Sequence, residues 1–211
     1  MGEMITLAST VSTVHVVDDD AAICRSLKWL IESIGLPVRT YSSADEFLAA
    51  LDPAQPGCLV LDIRMPGMNG LELQQHLLKN NIQIPIIIIT GHGDVQMSVQ
   101  AMKAGAVDFL QKPFSDQTLL DLIQESLRKD AASRAARAKH LDIARHFQRM
   151  TPREREVLVL VVSGSSTAEI ARRLGVSQKT IEVHRANIMA KSNAGSLAEL
   201  VRWAIAAGFD R

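Results

Sequence analysis

Between Val14 and Leu127 short apolar runs alternate with stretches of helical spacing, and each strong apolar run stops at or just before polar residues. Val14-His15-Val16-Val17 stops at Asp18-Asp19-Asp20, and Leu59-Val60-Leu61 stops at Asp62. Ile84-Pro85-Ile86-Ile87-Ile88-Ile89 stops at Thr90, and Ala106 to Leu110 runs out just before Lys112-Pro113. Short runs that are apolar without alternation, and bounded by turn residues, are strands buried on both faces of a parallel sheet. Helical spacing lies between them: Ala21 to Ile34 closed by Gly35, a helix after Ser43 with Phe47, Leu48 and Leu51, Leu71 to Leu78, Asp94 to Lys103, and a helix from Ser115 to Leu127. With Val38 to Tyr41 as a further short strand, five β and five α elements alternate. That pattern predicts an α/β doubly wound fold, a five-stranded parallel sheet with helices on both faces.

Parallel topology brings the ends of all these strands to one edge, where open α/β sheets place their ligands. Asp62 alone has two readings, a ligand or nucleophile at a strand end and a cap for the helix that follows. Its neighbours on the edge separate them. Asp18, Asp19 and Asp62 would repel one another unless a cation joined them. Oxygen ligands without His or Cys point to Mg²⁺, which takes a few carboxylates and keeps several waters. Thr90 adds a hydroxyl and Lys112 a cation, both suited to a phosphoryl oxygen.

The segments VVDDD, LVLDIRMPGMNG, IIIITGHGD and AVDFLQKPF resemble response-regulator receiver domains over about Thr13 to Leu127. GHGDVQMSVQAMKAGAVDF resembles the FixJ-type subgroup in particular. The resemblance implies a sheet order of 2-1-3-4-5, a CheY/flavodoxin-like receiver. It makes Asp62 the phosphoacceptor, with Mg²⁺ held by Asp18, Asp19, Asp62 and the Arg64 backbone carbonyl. Thr90 and Lys112 would bind the phosphoryl group, the Lys112–Pro113 bond would be cis, and Phe109 takes the switch-aromatic position, with a plain core role as its alternative.

The net charge is zero, but it divides. Residues 1–127 carry 7 Lys+Arg against 15 Asp+Glu, a net of −8, and residues 128–211 carry 16 against 8, a net of +8. An asymmetry of that size predicts two domains, the second meeting a polyanion. Cys24 and Cys58 are too few for a disulfide framework and fit a reducing cytosol. No basic n-region precedes an apolar core, and no apolar run is long enough to span a bilayer, so a cytoplasmic protein without membrane attachment is expected.

Residues 128–149 are rich in Ala, Arg and Lys, without Gly or Pro, and read as a partly solvated helical linker after a receiver over residues 1–127. Thr151-Pro152-Arg153-Glu154 is a capping box with proline at the first helical position. Helices follow from Thr167 as cap to Gly175, from Ser177 through Gln178 to Lys191, and from Ser196 with Leu197, Leu200, Val201 and Ala204 facing inward. This all-α four-helix region, residues 150–211, contains a helix, a Gly turn and a basic second helix, a helix-turn-helix pattern. TPREREVL, the EIA-to-VS segment and TIEVHRANIMAK resemble the LuxR/NarL-type DNA-binding domain, to which FixJ belongs. By that resemblance Gln178 to Lys191 enters the major groove. Thr180, Glu182 and Val183 would then lie near base edges, and Lys179, His184, Arg185 and Lys191 on phosphates, with an intradomain hydrogen bond as the alternative for His184. Thr167 stands where Asn is common, and Ser192 where Leu or Met is usual, which should weaken packing of the recognition helix.

The reading is a two-component response regulator, not an enzyme, phosphorylated on Asp62 by a histidine kinase. It would then dimerise and bind duplex DNA to regulate transcription, with RNA polymerase as a further partner. One alternative is an aspartyl-phosphate phosphatase, but those enzymes resemble DxDx(T/V), and Asp62 is followed by Ile63-Arg64 with no second acid. Another is a receiver with an RNA-binding second half.

Overall fold

The computed structural model describes residues 11–91 and 95–209, so the expected helix start at Asp94 lies outside the described residues. The chain forms two compact units, residues 1–134 and 135–211. The first holds β1 (Thr13–Val17), α1 (Ala21–Glu32), β2 (Val38–Tyr41), α2 (Ala44–Ala50), β3 (Gly57–Asp62), α3 (Gly70–Lys79), β4 (Ile86–Thr90), α4 (Val95–Lys103) and β5 (Asp108–Gln111). Helix α5 (Asp116–Gln148) follows, then α6 (Pro152–Val162), α7 (Thr167–Leu174), α8 (Gln178–Ser192) and α9 (Leu197–Ala206).

The sheet is wholly parallel, in the order β2-β1-β3-β4-β5. Alternate residues of each strand feed two cores, which is why the strands read as unbroken apolar runs. Val17, Leu59, Leu61 and Ile88 pack with Phe47, Leu73 and Ala101 on one face. Val14, Val16, Val60 and Ile89 pack with Leu27, Ile31, Leu119 and Ile123 on the other. Strand limits differ slightly from the apolar runs. β4 starts after Pro85, which has no N–H to give and whose carbonyl instead accepts from Leu59 at 2.9 Å. β5 starts after Ala106 because Ala104 to Ala106 close α4 by bonding back to its last turn, with Gly105 at φ 87°.

Helix α5 does not stop at Leu127. No Gly or Pro interrupts it, and an ion-paired clasp at its middle holds it to the sheet. Buried Asp130 accepts from the Gly57 amide (3.0 Å) and from Arg134 Nε (2.7 Å), while the Arg134 guanidinium donates to the carbonyls of Pro53, Ala54 and Gln55. Gly57 admits no Cβ, which would run into the Thr13 carbonyl. Residues 135–142 of the same helix are exposed, and its end buries Ile143 and Phe147 in the second unit's core.

That second core joins Ile143, Phe147 and Met150 to Val157, Leu158, Ile170, Ile181, Ile188, Leu200 and Ala204. Two details correct the sequence reading. Ser166, not Thr167, caps α7: it accepts from Glu169 N–H while Glu169 accepts from the Ser166 amide at 2.7 Å, a reciprocal box that leaves Thr167 as the first helical residue. Leu197 is 45% exposed rather than inward, so Leu200 and Ala204 carry the buried face of α9. Ser192 is fully buried, and its hydroxyl is satisfied by donating to the Met189 carbonyl at 3.1 Å.

His15, in the middle of β1, is 3% exposed, stacked on Tyr41 and edge-on to Phe47, with Nδ1 3.0 Å from the Tyr41 hydroxyl. Burial, aided by the Arg39 charge, pulls its pKa from 6.5 down to about 4. Between those values the unfolded chain binds the extra proton, so the first unit should lose stability as pH falls from 6.5 towards 4, on the order of 3 kcal/mol in all. Thermal unfolding followed across that range should show the loss, and His15→Phe should flatten it; an equally steep slope in the variant would assign the loss to other groups.

Candidate functional site

The three consecutive aspartates after β1 divide their work. Asp20 caps α1, accepting from the Ala22 amide at 2.7 Å. Asp18 is 2% exposed and uses one carboxylate oxygen to hold the Asp20 amide at 2.9 Å. Asp19 is exposed and lines an open pocket of about 450 Å³ with Arg64, Met65 and Met97. Asp18 and Asp62 each lie two residues beyond a residue of the α1-facing core, Val16 and Val60, so the period of two brings their side chains to one side of the edge.

Lys112 joins them. Its Nζ lies 2.7 Å from Asp18 Oδ2 and 3.0 Å from Asp62 Oδ1. The Lys112 amide bonds to the Thr90 carbonyl at 2.8 Å, and the Lys112–Pro113 peptide is cis, as the resemblance implied. The second Asp62 oxygen accepts from the Arg64 amide at 2.6 Å. Gly70 closes this corner from beneath: its amide donates to the Ile63 carbonyl, and a Cβ there would collide with the Asp62 carbonyl. The glycine ending the PGMNG turn is therefore a steric requirement of the site. Burial raises the Asp62 pKa, and the Lys112 hydrogen bond and charge oppose it without cancelling it. Lys112 itself loses to burial but gains more from Asp18 and Asp62, and its pKa is raised. Thr90 is fully buried at the end of β4, and Phe109 is half-buried against the core containing Leu59 and Ile88.

Among the described residues no three His, Cys, Asp or Glu side chains converge as a metal cage. Asp18, Asp19 and Asp62 thus do not form a closed three-carboxylate shell, because Lys112 neutralises the inner pair and Asp19 stays at the rim. An all-oxygen set of few protein ligands beside an open pocket fits Mg²⁺, which retains most of its water, and does not fit a metal that needs a full protein cage.

In the second unit, Gly175 in a left-handed conformation (φ 68°) ends α7 and Ser177 caps α8. Lys179, Glu182 and Val183 are exposed on α8. Thr180 is half-buried and shares its hydroxyl with Ser177 at 2.9 Å, so part of its role is in the cap. His184 is half-buried, and its buried Nδ1 makes none of the intradomain hydrogen bonds offered as its alternative. Arg185 is also half-buried. Lys191 departs from expectation. Its ammonium lies 2.6 and 2.9 Å from the two oxygens of Glu154, a carboxylate 3% exposed that also takes the Thr151 amide at 2.7 Å. Burial works against the Glu154 charge, but Lys191 and Thr151 together hold its pKa below the usual range. Lys191 therefore braces the capping box instead of offering its charge outward. Asn187, not singled out from the sequence, is exposed one turn beyond Val183 on the same face of α8.

The response regulator receiver domain family matches residues 14–124, and the luxR family of bacterial regulatory proteins matches residues 148–204. Nodulation protein W of Bradyrhizobium diazoefficiens is 45% identical over 93% of this chain and 87% of its own. The transcriptional regulatory protein FixJ of Rhizobium meliloti is 46% identical over 93% of this chain and 97% of its own. Among solved structures, response regulator StyR superposes with a TM-score of 0.86 at 47% identity, covering 92% of this chain and 98% of that one. Full-length FixJ from B. japonicum gives 0.58 at 44% identity, covering 96% and 100%. Fold and matches together define a receiver domain joined to a LuxR-family DNA-binding domain. The chain belongs to the FixJ-type two-component response regulators, which regulate transcription. That architecture implies a histidine kinase upstream and DNA downstream. Among the described residues no helix is long and apolar enough to cross a membrane.

The two roles of basic residues on α8 can be separated in one titration. Lys191→Met should destabilise the second unit by roughly 1–3 kcal/mol, by leaving Glu154 buried and unpaired, and leave the salt dependence of DNA binding unchanged. Lys179→Ala should leave stability intact and lower the slope of log K against log salt by about 0.9. A slope that falls equally in both variants would return Lys191 to the phosphate-contacting set.

Proposed function

We propose that Asp62 is the phosphoacceptor of this regulator, and that its phosphorylation by a histidine kinase turns the chain into a DNA-binding dimer. The observation that carries this reading is Lys112 Nζ standing between Asp18 and Asp62 at the carboxyl edge of the sheet, at 2.7 and 3.0 Å. Burial raises the Asp62 pKa, and the Lys112 cation opposes that rise and favours the carboxylate form that attacks. Its oxygen forms a bond to the phosphorus of phosphohistidine, the P–N bond breaks, and the imidazole departs with its electron pair and takes a proton. Lys112 and the Thr90 hydroxyl then meet the oxygens of the acyl phosphate. Asp18, Asp19, Asp62 and the Arg64 backbone carbonyl would hold Mg²⁺ beside them. Bound there, Mg²⁺ supplies neutralisation of the charge that gathers on the transferring group.

The output follows the same edge. A phosphoryl group drawing on Thr90 vacates space for Phe109, already half-buried next to β4. Val99 and Met102, each 46% exposed on α4, supply apolar surface for a C₂ contact between receivers. The side chain of Val95, expected on the same surface, lies outside the described residues. Of the expected linker, residues 128–149, the exposed turns 135–142 of α5 would be the connecting part, since Asp130 and Arg134 are held by the first unit and Ile143 and Phe147 belong to the core of the second. Lys179, Glu182, Val183 and Asn187 then face duplex DNA, with Thr180, His184 and Arg185 in support, and RNA polymerase is the further partner in a cytoplasmic setting.

Incubation with labelled acetyl phosphate and Mg²⁺ should label the wild-type chain with a base-labile bond and leave Asp62→Asn unlabelled. Chelation of the metal should abolish labelling of the wild type. Persisting label on Asp62→Asn would move the phosphoacceptor to another residue.

A further inference from the structure

A helix leaves its last four carbonyls without donors of its own, and α8 meets two of them with side chains. The helix ends on Asn193, left-handed at φ 55°. Ser192 Oγ donates to the Met189 carbonyl at 3.1 Å, and His146 Nδ1 lies 2.9 Å from the Lys191 carbonyl oxygen. A carbonyl can only accept, so Nδ1 carries the proton. His146 comes from the end of α5, half-buried next to Phe147, and its Nε2 stands 3.3 Å from Asp142 Oδ2 one turn earlier.

Lys191 is thus held twice, by its ammonium on Glu154 of α6 and by its carbonyl on His146 of α5. The two holds differ in kind. An ammonium on a flexible four-carbon stem can follow a helix that shifts. A bond to the carbonyl fixes the backbone itself, in direction as well as distance. Helix α8 is one rod of about 22 Å, so its pitch at Lys191 is also its pitch at Thr180, Glu182 and Val183. Hydrogen bonds to base edges demand direction, whereas attraction to phosphates tolerates small displacements and carries no sequence information. We propose that His146 is a positioning residue for sequence-specific DNA binding, setting the pitch of α8 through the Lys191 carbonyl. Its loss lowers discrimination between DNA sequences and leaves the general attraction to duplex in place. The proposal rests on the reading of α8 as the recognition helix.

The test uses the full-length chain with beryllofluoride and Mg²⁺, a duplex selected from random sequence by the wild type, and a scrambled duplex of the same length. His146→Asn keeps an N–H where Nδ1 stands, and His146→Leu keeps a similar volume without it. His146→Leu should lower the ratio of selected to scrambled affinity about tenfold, the equivalent of one good base contact, with scrambled affinity close to that of the wild type. His146→Asn should keep the wild-type ratio. The NMR shift of the Ser192 amide nitrogen, which shares a peptide with the Lys191 carbonyl, should move in His146→Leu and stay in His146→Asn. Should His146→Leu fail to fold, His146→Gln, whose amide reaches the Nε2 position instead, should show the same lowered ratio. An unchanged ratio in the folded variant, an equal loss in His146→Asn, or a parallel fall on both duplexes, the mark of a purely structural role, would each overturn the proposal. Glu182→Ala and Val183→Ala identify the other failure. If neither alters the ratio, the reading of α8 falls, while the Ser192 shift still reports the hold of His146 on Lys191.

Discussion

One cation holds the receiver's edge together. Asp18 and Asp62 are both nearly buried at the ends of adjacent strands, and two uncompensated carboxylates so placed would drive each other towards protonation. Lys112, brought in by β5 from the far side of β4, meets both. Its position depends on the 2-1-3-4-5 order and on the Thr90 carbonyl that fixes its amide, while glycine at position 70 lets the following helix approach Asp62. The arrangement leaves Asp62 ionisable but not relaxed. Its raised pKa marks a folded-state carboxylate at odds with its burial.

The second unit uses the same device for a different end. Glu154 is as buried as Asp18, and its partner Lys191 comes from the last turn of the recognition helix. Here every oxygen of the carboxylate is matched, its pKa lies below the ordinary range, and nothing is left for a ligand. A satisfied pair makes a brace and a mismatched one makes a site. The contrast separates two acid–lysine contacts that look alike in distance.

Much of this was legible in the sequence because the informative residues are also punctuation. Strand ends were readable since each apolar run stopped at a polar residue, and parallel topology then forced Asp18, Asp62, Thr90 and Lys112 onto one edge. Caps at Ser43, Thr151, Ser177 and Ser196 were readable from local chemistry. What escaped depends on partners distant in sequence. Nothing near Lys191 announces Glu154, 37 residues earlier, so its charge read as a phosphate contact. The same holds for Asp130 and Arg134, whose partners lie at the start of β3 and in the segment before it, and which hold to the first unit a stretch that read as a helical linker. Thr167 and Ser166 are both competent caps, and only the reciprocal Glu169 bond decides between them.

The central claim is that the state of Asp62 governs what α8 can do. The most direct measurement is the affinity of the full-length chain for its operator duplex at fixed salt, with and without beryllofluoride and Mg²⁺. Wild type should bind at least tenfold more tightly with the phosphoryl mimic, and Asp62→Asn should show no response. Equal affinity of the wild type under both conditions, or an undiminished response in Asp62→Asn, would contradict it.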